Sequence, residues 1–178
     1  MSVSQVYSPR GVASVPFWND KRPVRWRDVG KLDCTIARSL SVIGDRWTLL
    51  ILRDAFLGTR RFDEFQTSLG ITRHRLADRL AKLVKHGVFR RERYQQRPPR
   101  FEYRLTEKGI ELYGVIVTIA DWGDRHMAGK QGPPVERVHR RCGHPTTLRL
   151  TCEHCGEAVT ARDMSARPGP GHRTEERA

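Results

Sequence analysis

A chain of 178 residues accommodates one well-packed domain and an appendage, but not two domains of ordinary size. Its 33 Lys and Arg outnumber 20 Asp and Glu, and the resulting +13 favours polyanionic partners, nucleic acid first among them, while saying nothing about fold. No run of 18 apolar residues occurs and the first residues, around Pro9 and Pro16, show no apolar h-region, so a soluble cytoplasmic protein with no membrane partner is expected.

The charge is concentrated. Residues 58–105 hold 13 basic against 5 acidic side chains, a net +8 of the total +13 in under a third of the chain. A basic run is often only a solvated face, but an excess focused in this way is the footprint of nucleic-acid contact.

In chain order, residues 1–30 carry Pro9, Pro16, Pro23, Gly11 and Gly30 without periodicity and read as a flexible arm. Trp18 and Trp26 within it are placed to dock on the domain, on a second subunit or on nucleic acid. From Cys34 the pattern turns helical: Ile36, Ala37, Leu40 and Ile43 share a face, and Gly44 closes the segment as a C-cap. Asp45 is positioned to N-cap a second helix in which Trp47, Leu49, Leu50, Ile51, Leu52, Ala55 and Phe56 are apolar nearly all round, as in a central core helix.

Gly58 ends that helix, and Thr59 is expected to start a short one with Phe62, Phe65 and Leu69 at helical spacing, closed by Gly70. Thr72 can cap the next, where Leu76, Leu80, Leu83 and Val84 form an inward stripe and Arg73, His74, Arg75, Arg79, Lys82 and Lys85 project elsewhere. A short helix, a glycine turn and a basic amphipathic helix make the helix-turn-helix plan. Beyond Gly87, Val88–Tyr94 and Phe101–Leu105 flank Pro98 and Pro99 and predict a basic-tipped β-hairpin, a wing, with cleaner alternation in the second arm. Thr106 then caps a long helix whose Ile110, Val115, Ile116, Ile119, Ala120 and Trp122 exceed what one small domain buries, so a homodimer interface is expected there.

The expected fold is therefore mainly α with a small β-hairpin wing: a winged helix-turn-helix over 31–128, a small zinc-ribbon-like module over 129–164 and a disordered tail over 165–178. The module rests on His139, Cys142 and Gly143 followed, nine intervening residues after Cys142, by Cys152, Cys155 and Gly156. Two ligands three apart with Gly behind them form a knuckle, and two knuckles hold one structural Zn(II) through three thiolates and an imidazole. His144 rivals His139 for the fourth position, and free thiols or a Cys152–Cys155 disulfide are the alternatives to a metal. Four protein ligands would close the coordination sphere, which suits a staple rather than hydrolysis.

The segments Cys34–Ala37, Ile43–Arg53, Arg61–Phe65, Ile71–Leu83, Gly87–Val88, Pro98–Gly109 and Ala120–Gly123, in that order, resemble the HxlR-type family of winged-helix transcriptional regulators, related more distantly to the MarR type. The resemblance covers roughly half of the chain and leaves the arm and the residues after Lys130 outside it. It implies a homodimeric DNA-binding repressor or activator, more commonly a repressor, answering to a small-molecule or redox effector, with the helix from Thr72 in the major groove of duplex DNA. The physics agrees, because a groove about 12 Å wide admits one helix whose first residues meet the base edges. Thr72, Arg73, His74 and Arg75 are then the base-reading residues, and Arg79 and Lys82 are expected to touch phosphate. Arg90, Arg91, Arg93, Arg97 and Arg100 on the wing are expected to neutralise the DNA backbone, with one Arg able to enter a narrow minor groove. By the same resemblance Cys34 occupies the place of a thiol that senses electrophiles or oxidants in some members, although a cysteine at a helix start is more often simply packed.

Two rival readings, an enzyme and an interaction module, fit the sequence less well. An enzyme finds no support: there is no glycine-rich phosphate loop, no H-E-x-x-H, no G-x-S-x-G and no H-x-E followed by P-C-x-x-C. A zinc-bearing interaction or RNA-binding module without operator specificity would want exposed aromatics on a basic sheet, whereas the aromatics here sit mainly at core spacing.

Overall fold

The computed structural model describes residues 24–167 and 169–171. Most of the predicted arm, Trp18 included, and most of the predicted tail lie outside the described residues. The chain divides into two compact units, Val29–Leu148 and, separately, 1–28 with Arg149–Ala178, and each is described by itself.

In the larger unit the first helix, α1, spans Thr35–Ile43 and buries Ala37 and Ile43, leaving Ile36 and Leu40 exposed. Gly44 ends it as predicted, but for a steric reason: its N–H donates to the Leu40 carbonyl at 2.8 Å, and a Cβ at Gly44 would stand 2.5 Å from that same oxygen. Helix α2, Arg46–Phe56, is N-capped by Asp45, whose carboxylate accepts from the backbone N–H groups of Trp47 and Thr48. Its Ile51 and Leu52 are fully buried, and the half-buried Trp47, Leu49 and Ala55 pack around them, so α2 is the central helix that its composition predicts.

Helix α3, Phe62–Leu69, begins three residues later than expected from Thr59. The reason lies in the wing: the Arg60 carbonyl accepts from the Tyr103 N–H at 2.8 Å and Arg61 bridges to Glu102, so this stretch is extended and pairs with a strand. Glu64, in the first turn, turns its carboxylate back to the N–H groups of Arg60 and Arg61, satisfying donors that the helix leaves orphaned. Gly70 ends α3 in the left-handed region, φ 59°. Helix α4, Arg73–Lys85, follows with Leu76, Leu80 and Leu83 completely buried; Thr72 holds the N-cap position, though its hydroxyl makes no capping bond.

The wing is an antiparallel pair, β1 Phe89–Gln95 and β2 Arg100–Leu105, in register Phe89 with Leu105, Arg91 with Tyr103 and Arg93 with Phe101. A bulge between Arg93 and Gln95 explains why the first arm alternates poorly in the sequence. Phe89 enters the core beside Phe65, with ring centroids 6.4 Å apart, so the base of the wing is welded to α3 and α4 while its tip projects.

The long helix expected from Thr106 is two pieces, α5 Glu107–Ile110 and α6 Tyr113–Met127. Thr106 caps the first, accepting from the Gly109 N–H. At the junction the Leu112 N–H reaches the Gly109 carbonyl, a tightened turn that lets Leu112 pack on the core. Helix α6 buries Val117 and Asp121, and Arg137, on the segment that follows, returns to donate to Asp124 at 2.8 Å. The unit closes with a minimal hairpin, β3 Val138–His139 and β4 His144–Pro145. The smaller unit contains a tight turn over Cys152–Gly156 framed by a bridge between Thr151 and Ala158.

Candidate nucleic-acid interface and cysteine turns

The turn between α3 and α4 sets α4 across the domain with one face occupied by leucine. At 3.6 residues per turn, His74, Asp78 and Lys85 stand opposite that leucine face, Arg75 and Lys82 lie on one flank, and Arg79 stands nearest the core seam. Arg73, His74 and Arg75 are exposed, but they differ in what holds them. The Arg73 guanidinium lies 5.0 Å from the centre of the Phe62 ring and 4.0 Å from Asp63, which draws it towards α3. His74 Nδ1 stands 2.9 Å from Asp78 one turn on. Arg75 makes no ion pair or ring contact among the described residues, so it is the basic side chain of the first turn that is free to read a partner.

Asp78, an acid on the outward face of α4, is not among the residues that the basic pattern of this helix singles out. Its signal was present: it stands four residues after His74 and out of phase with the leucines. Arg79 is engaged too, forked onto Asp45 with Nε 2.9 Å from Oδ1 and Nη2 3.3 Å from Oδ2. Burial pushes the Asp45 carboxyl up, but the Arg79 hydrogen bonds and charge, with the N–H groups of Thr48 and Trp47, outweigh it and leave the pKa below the ordinary value. At the far end of α4, burial and then the charges of Lys82, Lys85 and Lys108 hold the His86 imidazole below its usual pKa.

The two faces of the wing are electrostatically unlike. On one, the Arg91 guanidinium lies 3.6 Å and that of Arg93 5.4 Å from the centre of the Phe101 ring, and neither forms an ion pair among the described residues. On the other, Arg90 is bound to Glu92, and Arg104 bridges Glu92 at 2.9 Å and Glu102 at 2.6 Å. Arg97 and Arg100 are exposed at the tip, where Gln95 donates to the Arg97 carbonyl. Thus α4 and the wing present Arg75, Arg91 and Arg93 unneutralised by neighbouring acids, while Arg73, Arg79 and Arg90 are held by carboxylates.

The two cysteine segments each form a tight turn ending on a left-handed glycine. In the larger unit the N–H groups of Cys142 and Gly143 both donate to the His139 carbonyl, Gly143 adopts φ 71°, and His139 Nδ1 lies 3.3 Å from Cys142 Sγ. His144 pairs with His139 across the small hairpin. In the smaller unit the Gly156 N–H donates to the Cys152 carbonyl at 2.8 Å and Gly156 adopts φ 73°. Backbone N–H groups of Cys155 and His154, with the Cys155 side chain, hold the Cys152 thiol below its ordinary pKa. Among the described residues, no three His, Cys, Asp or Glu side chains are gathered closely enough to hold a metal ion. Cys34 sits half-buried at the start of α1, and the neighbouring Arg38 donates to Asp33 and to the Leu32 carbonyl. No helix among the described residues is long and apolar enough to cross a membrane.

Comparison with known proteins places this geometry in context. The model of the HxlR-like helix-turn-helix family matches residues 42–131, from the end of α1 to just past α6. An HTH-type transcriptional regulator of Mycobacterium tuberculosis (strain ATCC 25618 / H37Rv) is 46% identical over 141 residues, covering 79% of this chain and 89% of that protein. The HTH-type transcriptional regulator YdeP of Bacillus subtilis (strain 168) is 38% identical over 94 residues, 52% of this chain and 73% of its own. Among solved structures, PA1607, described as a proposed transcription factor, superposes with a TM-score of 0.72 at 37% identity, covering 82% of this chain and all of its own. A second such protein, PA1374 from Pseudomonas aeruginosa, gives 0.57 at 40% identity over 80% of this chain and 97% of its own.

Proposed function

Because this chain belongs to the HxlR-like helix-turn-helix family, whose curated relatives are transcriptional regulators, we propose that it is a homodimeric, sequence-specific repressor that lays α4 in the major groove of duplex DNA. The observation that carries this reading is the distribution of free charge. Arg75 in the first turn of α4 and Arg91 and Arg93 on one wing face have no acidic partner among the described residues, as a base reader and two phosphate ligands require. The activity is binding rather than catalysis, in keeping with a family of regulators. Exposed apolar side chains on α1 and α6 support the homodimer, since a monomer gains nothing by leaving Ile36, Ile119 and Trp122 in water.

The test is selection of duplex fragments by the purified protein from random and genomic pools, followed by sequencing. A two-fold symmetric site with half-sites about 34–36 Å apart is expected. Arg75→Ala is expected to relax preference at one position per half-site by roughly 1–3 kcal/mol. Sequence-blind enrichment, or equal capture of single strands, would refute operator recognition.

For the C-terminal segment the same proposal includes one structural Zn(II) per chain, with His139, Cys142, Cys152 and Cys155 as ligands and His144 as the rival imidazole. What supports it is the chemistry of each turn taken by itself: two ligand side chains three residues apart, with a left-handed glycine behind them. Metal analysis of the purified protein is expected to find one equivalent of zinc. A chelator should remove it and loosen residues after Lys130 while the winged helix stays folded, whereas zinc-free protein with unchanged proteolysis of that segment would dismiss the metal.

A further inference from the structure

Of the basic residues on α4, Arg79 is the one whose guanidinium is forked onto a carboxylate at hydrogen-bond distance. Its fork closes on Asp45, 34 residues earlier, and both side chains are only one-third exposed. Asp45 Oδ1 also accepts from the N–H groups of Trp47 and Thr48, so the carboxylate is pinned to the first turn of α2 before Arg79 reaches it. The anchor is therefore rigid at one end and directional at the other.

The leucines of α4 cannot supply that direction. Leu76, Leu80 and Leu83 fix the depth of the helix by apolar contact, which is non-directional and tolerates small rotations about the helix axis. On a helix about 5–6 Å in radius, a rotation of about 10° carries a surface group roughly 1 Å sideways. That is enough to break a bidentate hydrogen bond to a base.

We infer that Arg79 is a positioning residue: its fork on Asp45 locks the rotation of α4 so that Arg75 meets the bases, and it does not itself neutralise a phosphate. This rests on the DNA-binding reading above and changes the role that the sequence alone gave to Arg79. A guanidinium held by a carboxylate releases little counterion on binding, whereas an unpaired one releases nearly a full ion.

Asp45→Asn and Arg79→Gln separate the two roles, because Asn caps a helix as well as Asp does but carries no charge. Affinity is measured for the selected operator and for a random duplex at two salt concentrations, on wild type, both variants and the double variant. Each single variant is expected to weaken operator binding about ten-fold or more, with the salt slope kept and the random duplex little affected, and the double variant should be no weaker than either. A phosphate contact predicts the opposite pattern: Arg79→Gln lowers the slope by about 0.9 per subunit, about 1.8 for the dimer, and weakens both duplexes alike, while Asp45→Asn frees the guanidinium and tightens binding. Amide exchange across Leu76–Leu83 judges the lock without DNA, since faster exchange in Arg79→Gln is expected and unchanged exchange overturns it. A wild type that selects no duplex would sink the DNA-binding reading alone, and the exchange result would still decide the anchor.

Discussion

Gly109 shows how a single residue can be fixed by what stands behind it. A Cβ there would lie 2.2 Å from the Val88 carbonyl, which itself accepts from the Thr106 N–H at the joint between wing and α5. Backbone cannot yield as a side chain would, so Gly109→Ala is expected to destabilise the fold by roughly 1–3 kcal/mol in urea denaturation. Gly114, in the first turns of α6, has open space around its missing Cβ, and Gly114→Ala should stabilise by about 0.5–1 kcal/mol through helix propensity alone. Equal effects from the two substitutions would show that the close approach at Gly109 is not what selects glycine. Neither outcome was legible in the sequence, where both residues look like helix weaknesses. Asp45 is the contrary case: its capping role follows from its place before an apolar run, but its second role, holding Arg79, joins residues 34 apart that no local pattern connects.

Periodicity fixes the elements whose side chains fill the core. The leucine stripe of α4, the apolar α2 and the hairpin limits all follow from local spacing, and the core is made of those side chains. The misplaced boundaries have tertiary causes: α3 starts late because Arg60 and Arg61 pair with the wing, and the helix after Thr106 is pinched where Leu112 turns inward. For Arg79 the sequence could not show neutralisation, because Asp45 lies on another element 34 residues away, whereas Glu92 stands two residues from Arg90 on the same strand face, a pair within reach of local spacing. The distinction between held and free guanidinium groups makes a prediction about the wing. Arg91→Gln and Arg93→Gln should each reduce the slope of log affinity against log salt by about 0.9 per subunit, hence about 1.8 for the proposed dimer, for operator and random duplex alike. Arg90→Gln, whose guanidinium is already held by Glu92, should change the slope by much less. Equal slopes for all three variants would mean that the wing touches no phosphate.

Taken as a whole, the larger unit leaves apolar side chains exposed on two of its helices, α1 and α6. Ile36 on α1 is 66% exposed, and Ile119 and Trp122 on α6 are 50% and 54% exposed, although a monomer of this size has a core to put them in. The sequence signalled this as an excess of apolar residues after Thr106, because the count exceeded what a domain could bury. The proposed second subunit would also supply the symmetry that a palindromic operator mirrors. Placing a carboxylate at the centre of such an interface leaves a charge desolvated without a partner, so Ile119→Glu or Trp122→Glu should weaken dimerisation by roughly 2–4 kcal/mol, about thirty-fold to a thousand-fold. Sedimentation at micromolar concentration should then find monomers with the amide-exchange protection of Ile51, Leu52 and Leu80 intact, since those residues lie in the unit's own core. A monomer of this kind has one α4 to offer, so its affinity for a full operator should fall to that for a half-site. If either variant stays dimeric and keeps operator affinity, the exposed face on α6 is not what joins the subunits.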